Sequence, residues 1–395
     1  MNLGFYYHIP ISSSSGELKI PGYLGVFLDS LASEVRQLIL FMHEANDFEA
    51  SQCDYVLQAK NISYVSLGHK TPAWDRFLWP GKTLRRIRLR VGDCDVILVR
   101  APSPLAPMFY KAFKNLTEIV YLVVGDYANG VKFIHQPLLR KLPIQILNIQ
   151  NDHQLRMVLK KTLALVNSQE LYDKYKSFAL DLRIVRTTTI TDKDFFYRAD
   201  TCMNDEINIL YTGRLDITKG LRELLNAVCI LVKEHFNLNL HFAAWEDNPA
   251  KPVEKLLSEI ARTNQISDRI FFHGKKALGK ELNAVYRSAD IYVIPSYHEG
   301  FPRTIWEAMA NGLPVIASNV GSIPSFVGDS AILIRPHNVT DLTDALKRVM
   351  NDNSLRKRLI ASGYERAKQN TLGTSVKEIG NVLKQKYVDS PMQLS

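Results

Sequence analysis

ILYTGRLDITKGLRELLNAV, residues 209 to 228, reads as a strand, a loop and a helix in immediate succession. The apolar run closes at Gly213, a short polar loop carries Arg214 and Lys219, and Gly220 opens an amphipathic helix. A helix N-terminus offers unpaired N–H groups and positive potential, to which a guanidinium fork and a lysine point charge add donors. Together they suit a diphosphate. The stretch contains neither G-x-x-x-x-G-K-[ST] nor G-x-G-x-x-G. A solvated basic loop in which Lys219 pairs with Asp216 is therefore the alternative reading.

The same rhythm continues outward. INILYTG (207–213), LNLHFAAW (238–245), RIFFHG (269–274), DIYVIPS (290–296), PVIAS (314–318) and AILI (331–334) read as strands, separated by helical patterns such as Leu221 to His235, Glu281 to Ser288 and Leu342 to Met350. Upstream, LGFYYH (3–8), NISYVSL (61–67), DVILVR (95–100), EIVYLVV (118–124) and LALVNS (163–168) repeat it. Strands alternating with helices predict parallel α/β architecture. Between the two sets, TTTITDKDFFYRADTCMNDE (187–206) is polar and aperiodic, and reads as a linker. The expected organisation is two Rossmann-like domains, 1–186 and 207–370, facing an interdomain cleft, with residues 371–395 packing back on the first. Open α/β sheets bind ligands outside the carboxyl ends of their strands.

Composition agrees with a globular chain of this kind. The 395 residues are 46% hydrophobic and 23% charged, and at roughly 150 residues per domain the length predicts two or three domains. A formal charge of +9 favours anionic partners. Cys53, Cys94, Cys202 and Cys229 are widely spaced, which indicates neither a zinc cluster nor a disulfide scaffold and suits a reducing cytoplasm. The opening MNLGFYYHIPISSSSG lacks the basic start and unbroken apolar core of a signal peptide, and the apolar runs fall short of the ~20 residues a membrane helix needs. KTLRRIRLR (82–90), preceded by Trp74, Phe77, Leu78 and Trp79, suits peripheral contact of residues 74–90 with the anionic inner face of a membrane. A solvated basic helix face is the alternative, and no nucleic-acid module accompanies the charge.

HEGFPRTIWEAMANG (298–312) follows the strand DIYVIPS. Gly300 permits close backbone approach, and Pro302 fits the first turn of a helix. Ile305, Ala308 and Met309 form its apolar face, and Gly312 suits its C′ position. Two readings of the glutamates stay open: Glu307 either completes a capping box with Thr304 or serves a ligand, and Glu299 either pairs with Arg303 in solvent or faces a site.

Taken in order and spacing, Gly213-Arg214, Lys219-Gly220, His273-Gly274, and Glu299-Gly-Phe-Pro followed by Glu307-Ala-Met-Ala-Asn-Gly-Leu-Pro resemble the retaining GT-B glycosyltransferases. This is the large group that includes bacterial mannosyltransferases and sucrose synthase. The resemblance covers about residues 206–370. It implies a UDP- or GDP-sugar donor held mainly by the C-terminal domain, a saccharide or lipid-linked acceptor held mainly by the N-terminal one, and transfer with retention in polysaccharide or glycolipid assembly. No cofactor or bound metal is expected. By the same resemblance Arg214 and Lys219 neutralise the donor diphosphate, Glu307 takes the ribose hydroxyls, and Glu299 faces the transferred sugar. Gly213, Gly300, Phe301 and Pro302 line the sugar and phosphate site, and Gly274 and Lys275 lie near the base. In the N-terminal half, GYLGVFLDSLASEVRQL (22–38) resembles the family's glycine loop, with Gly22 and Gly25 approaching the substrates. An ordinary glycine-punctuated βα loop is the alternative.

Two departures stand out. VVGDYANG (123–130) offers Asp126 where many members carry a histidine, and Gly321-Ser322-Ile323-Pro324-Ser325 replaces Gly-Gly-x-x-Glu. His8, His135 and His153 read as structural or surface residues. A sensor or partner subunit that binds a nucleotide sugar without catalysis, and a nucleotide-sugar epimerase, are the rival expectations.

Overall fold

The computed structural model describes residues 1–14, 16–126, 138–300, 302–387 and 389. Two compact units divide it, Met1–Thr187 with Leu372–Ser395, and Thr188–Thr371.

The strands are β1 (Asn2–Tyr6), β2 (Ser12–Ser14), β3 (Glu17–Ile20), β4 (Gln37–Glu44), β5 (Tyr55–Val56), β6 (Ile62–His69), β7 (Val96–Ala101), β8 (Glu118–Val123), β9 (Leu163–Val166) and β10 (Asp181–Ile184) in the first unit. The second holds β11 (Ile207–Arg214), β12 (Leu238–Trp245), β13 (Ile270–Phe272), β14 (Ile291–Ile294), β15 (Val315–Ser318) and β16 (Ile332–Ile334).

The second unit is built on a parallel sheet ordered β13-β12-β11-β14-β15-β16. Counted from its first strand the order is 3-2-1-4-5-6, the doubly wound arrangement in which the winding direction reverses between strands one and four. A crevice therefore opens at the carboxyl ends of β11 and β14. Both faces of this sheet are covered, which is why its strands read as near-continuous apolar runs. Ile209, Tyr211, Phe242 and Val293 share a core with the helices Leu221–Lys233 and Val339–Asn351. Leu210, Tyr292, Ile294 and Val315 turn the other way, onto Ile305, Trp306 and Met309 of the helix Arg303–Ala310. Fully burying one such large side chain contributes about 1.5–3 kcal/mol.

The first unit repeats the plan. Its parallel sheet runs β10-β9-β8-β7-β1-β4-β6, so β1 lies between β4 and β7 and the reversal falls between β1 and β7. β4, QLILFMHE, is absent from the strands predicted by sequence pattern: the expected glycine loop resolves into a helix, Gly22–Ala32, and then this strand. A small antiparallel sheet, β2-β3-β5, precedes and follows the helix in sequence. The helix Leu372–Tyr387 belongs to this unit, with Leu372, Val376, Ile379 and Leu383 in the core that holds Leu24, Leu28 and Leu31. Lys386 adds an ion pair to Asp181 at 2.7 Å.

Residues 188–206, aperiodic in sequence, are held to the second unit by polar contacts as well as by Ile190, Phe195 and Cys202, which pack on its cores. Asn283 donates to Asp194 at 2.7 Å, Arg198 donates to the carbonyl of Ala289 at 2.9 Å, and the buried Arg356 grips Asp200 at 2.6 and 3.1 Å. Burial pushes the Asp200 carboxyl up, but the Arg356 hydrogen bonds and charge outweigh it and leave the pKa lowered.

Candidate functional site

The site is built on the crevice of the second unit. β11 ends in Gly213, at φ +137°, and Arg214, whose carbonyl accepts a hydrogen bond from the Tyr211 hydroxyl at 2.8 Å. The chain then makes a 3-10 turn at Ile217–Lys219. Asp216 caps that turn, accepting from the Thr218 N–H at 2.8 Å and its hydroxyl at 2.6 Å. The expected alternative, Asp216 paired with Lys219, is replaced by this cap. Burial raises the Asp216 pKa, but the two Thr218 hydrogen bonds and the charges of Arg214 and Lys219 leave it lowered.

Gly220 takes the left-handed conformation, φ +64°, and a Cβ there would lie 2.1 Å from the carbonyl oxygen of Pro295. Only glycine fits this close approach. Next to it the Tyr297 N–H donates to the Thr218 carbonyl at 2.8 Å, so the loop after β11 and the loop after β14 are fastened together. The consequence is a contact spanning eighty positions of sequence: Lys219 Nζ donates to Glu299 Oε1 at 2.6 Å, and Ser296 Oγ donates to the same oxygen at 2.7 Å. Both side chains are largely buried, 18% and 12% exposed. Glu299 thus pairs with Lys219, and the sequence alternative of a solvated Glu299–Arg303 pair is not the arrangement found.

Arg214 is half exposed, 3.5 Å from Asp247, and pairs in register with Trp245 at the end of β12. The Trp245 indole donates to Asp247 at 3.2 Å, and Lys275 Nζ stands 5.7 Å from the indole centroid. Gly274, at φ +68°, has nothing within 4 Å of where a Cβ would be. Gly213, Arg214, Trp245, Gly274 and Lys275 thus gather along the carboxyl ends of three adjacent strands.

Gly300 has open space around its Cα, and its carbonyl accepts a hydrogen bond from the Ser322 hydroxyl. Ser322 is 2% exposed and belongs to the stretch that departs from the family's Gly-Gly-x-x-Glu. Phe301 lies outside the described residues. Pro302 is the N-cap rather than a first-turn residue, so the helix starts at Arg303 and Glu307 is its fifth residue. That register removes the capping box, and no side chain caps this end. The Glu307 carboxylate instead turns inward, 8% exposed, accepting from the Thr189 hydroxyl at 2.8 Å and the Tyr286 hydroxyl at 2.9 Å. Thr212, 2.7 Å from the Tyr286 hydroxyl, ties this network to β11. Burial, and then the charge of Glu307, drives the Tyr286 phenol well above its ordinary pKa. Gly312 ends the helix at φ +65°, its N–H on the carbonyl of Met309 at 3.1 Å.

The candidates of the first unit have local work. The Gly22 N–H donates to Asp54 at 2.7 Å, and a Cβ on Gly25 would strike the Tyr55 ring at 2.2 Å. Asp126 is held by Lys174 at 2.9 Å, which also bridges to Asp152 at 2.7 Å. His135 lies outside the described residues. Sequence reasoning passed over Thr189, Tyr286 and Ser296. Their only local signal is a hydroxyl in a predicted linker, helix or strand, which is too common to single them out.

Two doubly wound Rossmann-like domains, one carrying a lysine–glutamate pair at its reversal point, define the GT-B class of fold. Solved structures share it across nearly the whole chain. Sucrose-phosphate synthase from Thermosynechococcus elongatus matches with a TM-score of 0.76 at 18% identity, over 99% of this chain and 100% of that one. HepE from Anabaena, in complex with UDP-glucose, matches with a TM-score of 0.69 at 15% identity, over 98% and 100%. In sequence, residues 194–366 match the family described as glycosyl transferases group 1. Protein CapJ of Staphylococcus aureus is 26% identical over 293 residues, 72% of this chain and 71% of its own length. Other curated relatives are matched over shorter stretches, 35–42% of their own length. No described helix is long and apolar enough to cross a membrane.

Proposed function

We propose that this protein transfers a glycosyl unit from a nucleoside diphosphate sugar to a hydroxyl acceptor with retention of configuration, in polysaccharide or glycolipid assembly. The observation that carries the reading is the Lys219–Glu299 pair at the crevice between β11 and β14, with Arg214 beside it. The C1–O bond to the diphosphate breaks, its electron pair passes to the departing phosphate oxygen, and Lys219 and Arg214 neutralise the charge that develops there. Stabilisation aimed at developing charge is usually the largest catalytic term. The acceptor oxygen bonds to C1, and its proton goes to the departing phosphate.

Glu299 acts in this scheme by positioning the sugar. One carboxylate oxygen already accepts two hydrogen bonds, from Lys219 and Ser296, which lowers its nucleophilicity and favours a front-face displacement over a covalent intermediate. Glu307 retains lone pairs beyond those used by Thr189 and Tyr286, and takes the ribose hydroxyls. Gly274, Lys275 and Trp245 hold the base. HepE is known in complex with UDP-glucose, which makes UDP-sugars the first donors to try. No resident metal enters the scheme, so turnover is expected to survive a chelator.

Leu78, Trp79 and Leu89 are 58%, 78% and 79% exposed, and Lys82, Arg85, Arg88 and Arg90 are exposed around them. This surface, on and beside the helix Gly81–Arg88, suits a peripheral position at the cytoplasmic face of a membrane, where a lipid-linked acceptor resides. Co-sedimentation with anionic but not neutral vesicles checks it.

The decisive experiment is a panel of UDP-, GDP- and ADP-sugars scored for binding and turnover, with Lys219→Ala and Glu299→Ala as controls. Turnover at the wild-type rate in both variants rejects the site. A second reading, a binding module without catalysis, draws on Asp126, which stands where many relatives place a histidine and is engaged by Lys174. Calorimetric donor binding with no turnover for any acceptor would select it.

A further inference from the structure

Five polar residues distant in sequence meet in the core that holds the helix Arg303–Ala310 against the second unit's sheet. Thr212 comes from β11, Tyr292 from β14, Tyr286 from the helix Lys280–Ser288, Glu307 from the helix Arg303–Ala310, and Thr189 from the segment that precedes β11. All five are buried, from 0% exposed at Tyr286 and Tyr292 to 8% at Glu307. The Tyr286 hydroxyl lies 2.9 Å from Glu307 Oε2 and 2.7 Å from Thr212 Oγ1, which lies 3.3 Å from the Tyr292 hydroxyl. Thr189 Oγ1 lies 2.8 Å from Glu307 Oε1.

A hydroxyl has one proton and a carboxylate none, which fixes the direction of each bond. Tyr286 gives its proton to Glu307, because its other acceptor, the Thr304 carbonyl, is uncharged and farther away at 3.4 Å. The Tyr286 oxygen can then only accept from Thr212. With its own proton so used, Thr212 accepts from Tyr292. The hydroxyls form a one-way chain, Tyr292 to Thr212 to Tyr286 to Glu307, in which each donor polarises the next. Packing does not account for it. Phenylalanine at 286 and valine at 212 fill nearly the same space without burying hydroxyls, which are costly in an apolar core unless hydrogen-bonded. The chain and Thr189 together use one lone pair on each Glu307 oxygen and leave one on each. The terminal torsion of a glutamate is otherwise broad, so two donors on opposite oxygens hold the carboxylate plane in one orientation.

We propose that Tyr286, Thr212 and Thr189 are positioning residues that set how strictly the donor site demands a ribose: by fixing the Glu307 carboxylate as a two-oxygen acceptor, they make it select nucleotides with both ribose hydroxyls over deoxy forms. None of the three touches the nucleotide. The role rests on the proposed reading of Glu307 as the ribose ligand, and adds to it the residues that determine its selectivity. A carboxylate released from the chain turns to other partners in its surroundings, and the two-hydroxyl grip is lost while the contacts to base and phosphates stay. A site built to bond a hydroxyl rejects the analogue without it, because its own buried group is then left unpaired.

The test is calorimetry on the full chain with UDP, GDP and ADP, each against its 2′,3′-dideoxy form, for wild type, Tyr286→Phe, Thr212→Val, Thr212→Ser and Thr189→Val. Circular dichroism melts are the folding control. Wild type is expected to bind its preferred nucleotide at least a hundredfold more tightly than the dideoxy form. Tyr286→Phe, Thr212→Val and Thr189→Val should bring that ratio below tenfold by weakening the ribonucleotide alone, and Thr212→Ser, which keeps the hydroxyl, should hold it near the wild-type value. A purely structural role would weaken both nucleotides alike and leave the ratio unmoved. If Tyr286→Phe fails to fold, the contrast between Thr212→Val and Thr212→Ser decides. A wild-type ratio retained in the folded variants overturns this inference alone and leaves the donor reading standing. Equal binding of the two forms by wild type overturns the ribose role of Glu307 and this inference with it. Binding of none of the three nucleotides sinks the donor reading itself and everything built on it.

Discussion

The two units have the same sheet order around their first strands, yet their reversal points carry opposite electrostatic arrangements. In the second unit Lys219 is closed on Glu299 at 2.6 Å, a neutralised pair shut by loops fastened at Gly220 and Tyr297. In the first, the charges that act on His8 come from basic residues, Arg76, Lys70, Arg100 and His43, and Glu49 is closed on Lys70 at 2.8 Å. Topology therefore decides where a ligand sits, and the residues after each strand decide which. A lysine held by a carboxylate is kept in one defined rotamer.

The largest effect expected of this difference is on activity. Lys219→Ala should lower transfer by about 10²–10³-fold, the range found for removing one preorganised donor to developing charge. Steady-state donor turnover measures it, and a loss under threefold would break the assignment of the second unit's crevice. Gly220→Ala should destabilise the protein by roughly 2–3 kcal/mol, since it adds left-handed strain to a collision with the Pro295 carbonyl. Gly274→Ala, equally left-handed but in open space, should cost only about 1 kcal/mol. Denaturant unfolding of the pair sharpens the point that the first glycine fastens two loops and the second does not. Tyr286→Phe removes one hydrogen bond to the buried Glu307 carboxylate, and about 2 kcal/mol of stability should go with it.

The smallest effect should appear in the pH dependence. His8, His43 and His241 have folded pKa values lowered to about 3, 4 and 4, each chiefly by burial. Between those values and the unfolded pKa near 6.5 the unfolded chain binds more protons, so stability rises with pH there. Stability should accordingly be flat above pH 7 and begin to fall as pH drops from 6.5 to 5, before carboxylates contribute. Flattening of that slope in His43→Asn would assign part of it to the first unit's cluster, whereas an unchanged slope would place it elsewhere.

Periodicity was sufficient for most of the strands. LNLHFAAW is a strand from end to end as its apolar pattern predicts, and β11 and β14 differ from the expected spans by a residue or two. β4 escaped because its apolar run follows the helix Gly22–Ala32 after a short connection, and an unbroken run buried on both faces has no alternation to announce it. Ordinary turn chemistry also marked Gly220 and Gly312, because a left-handed residue at a helix end strongly favours glycine.

Sequence by itself, then, determined the α/β rhythm, the polar segment between the two sets of strands and the placing of Arg214, Lys219, Glu299 and Glu307 at strand ends and a helix start. Those properties depend on neighbours within a few positions, through dihedral preference and apolar period. Only the tertiary structure decided that Glu299 holds Lys219, that Glu307 faces Thr189 and Tyr286 instead of its own helix cap, and that His8 feels the charges of Arg76 and Arg100. Each of these depends on strand order, which brings together residues far apart in the chain, and no local period carries that information.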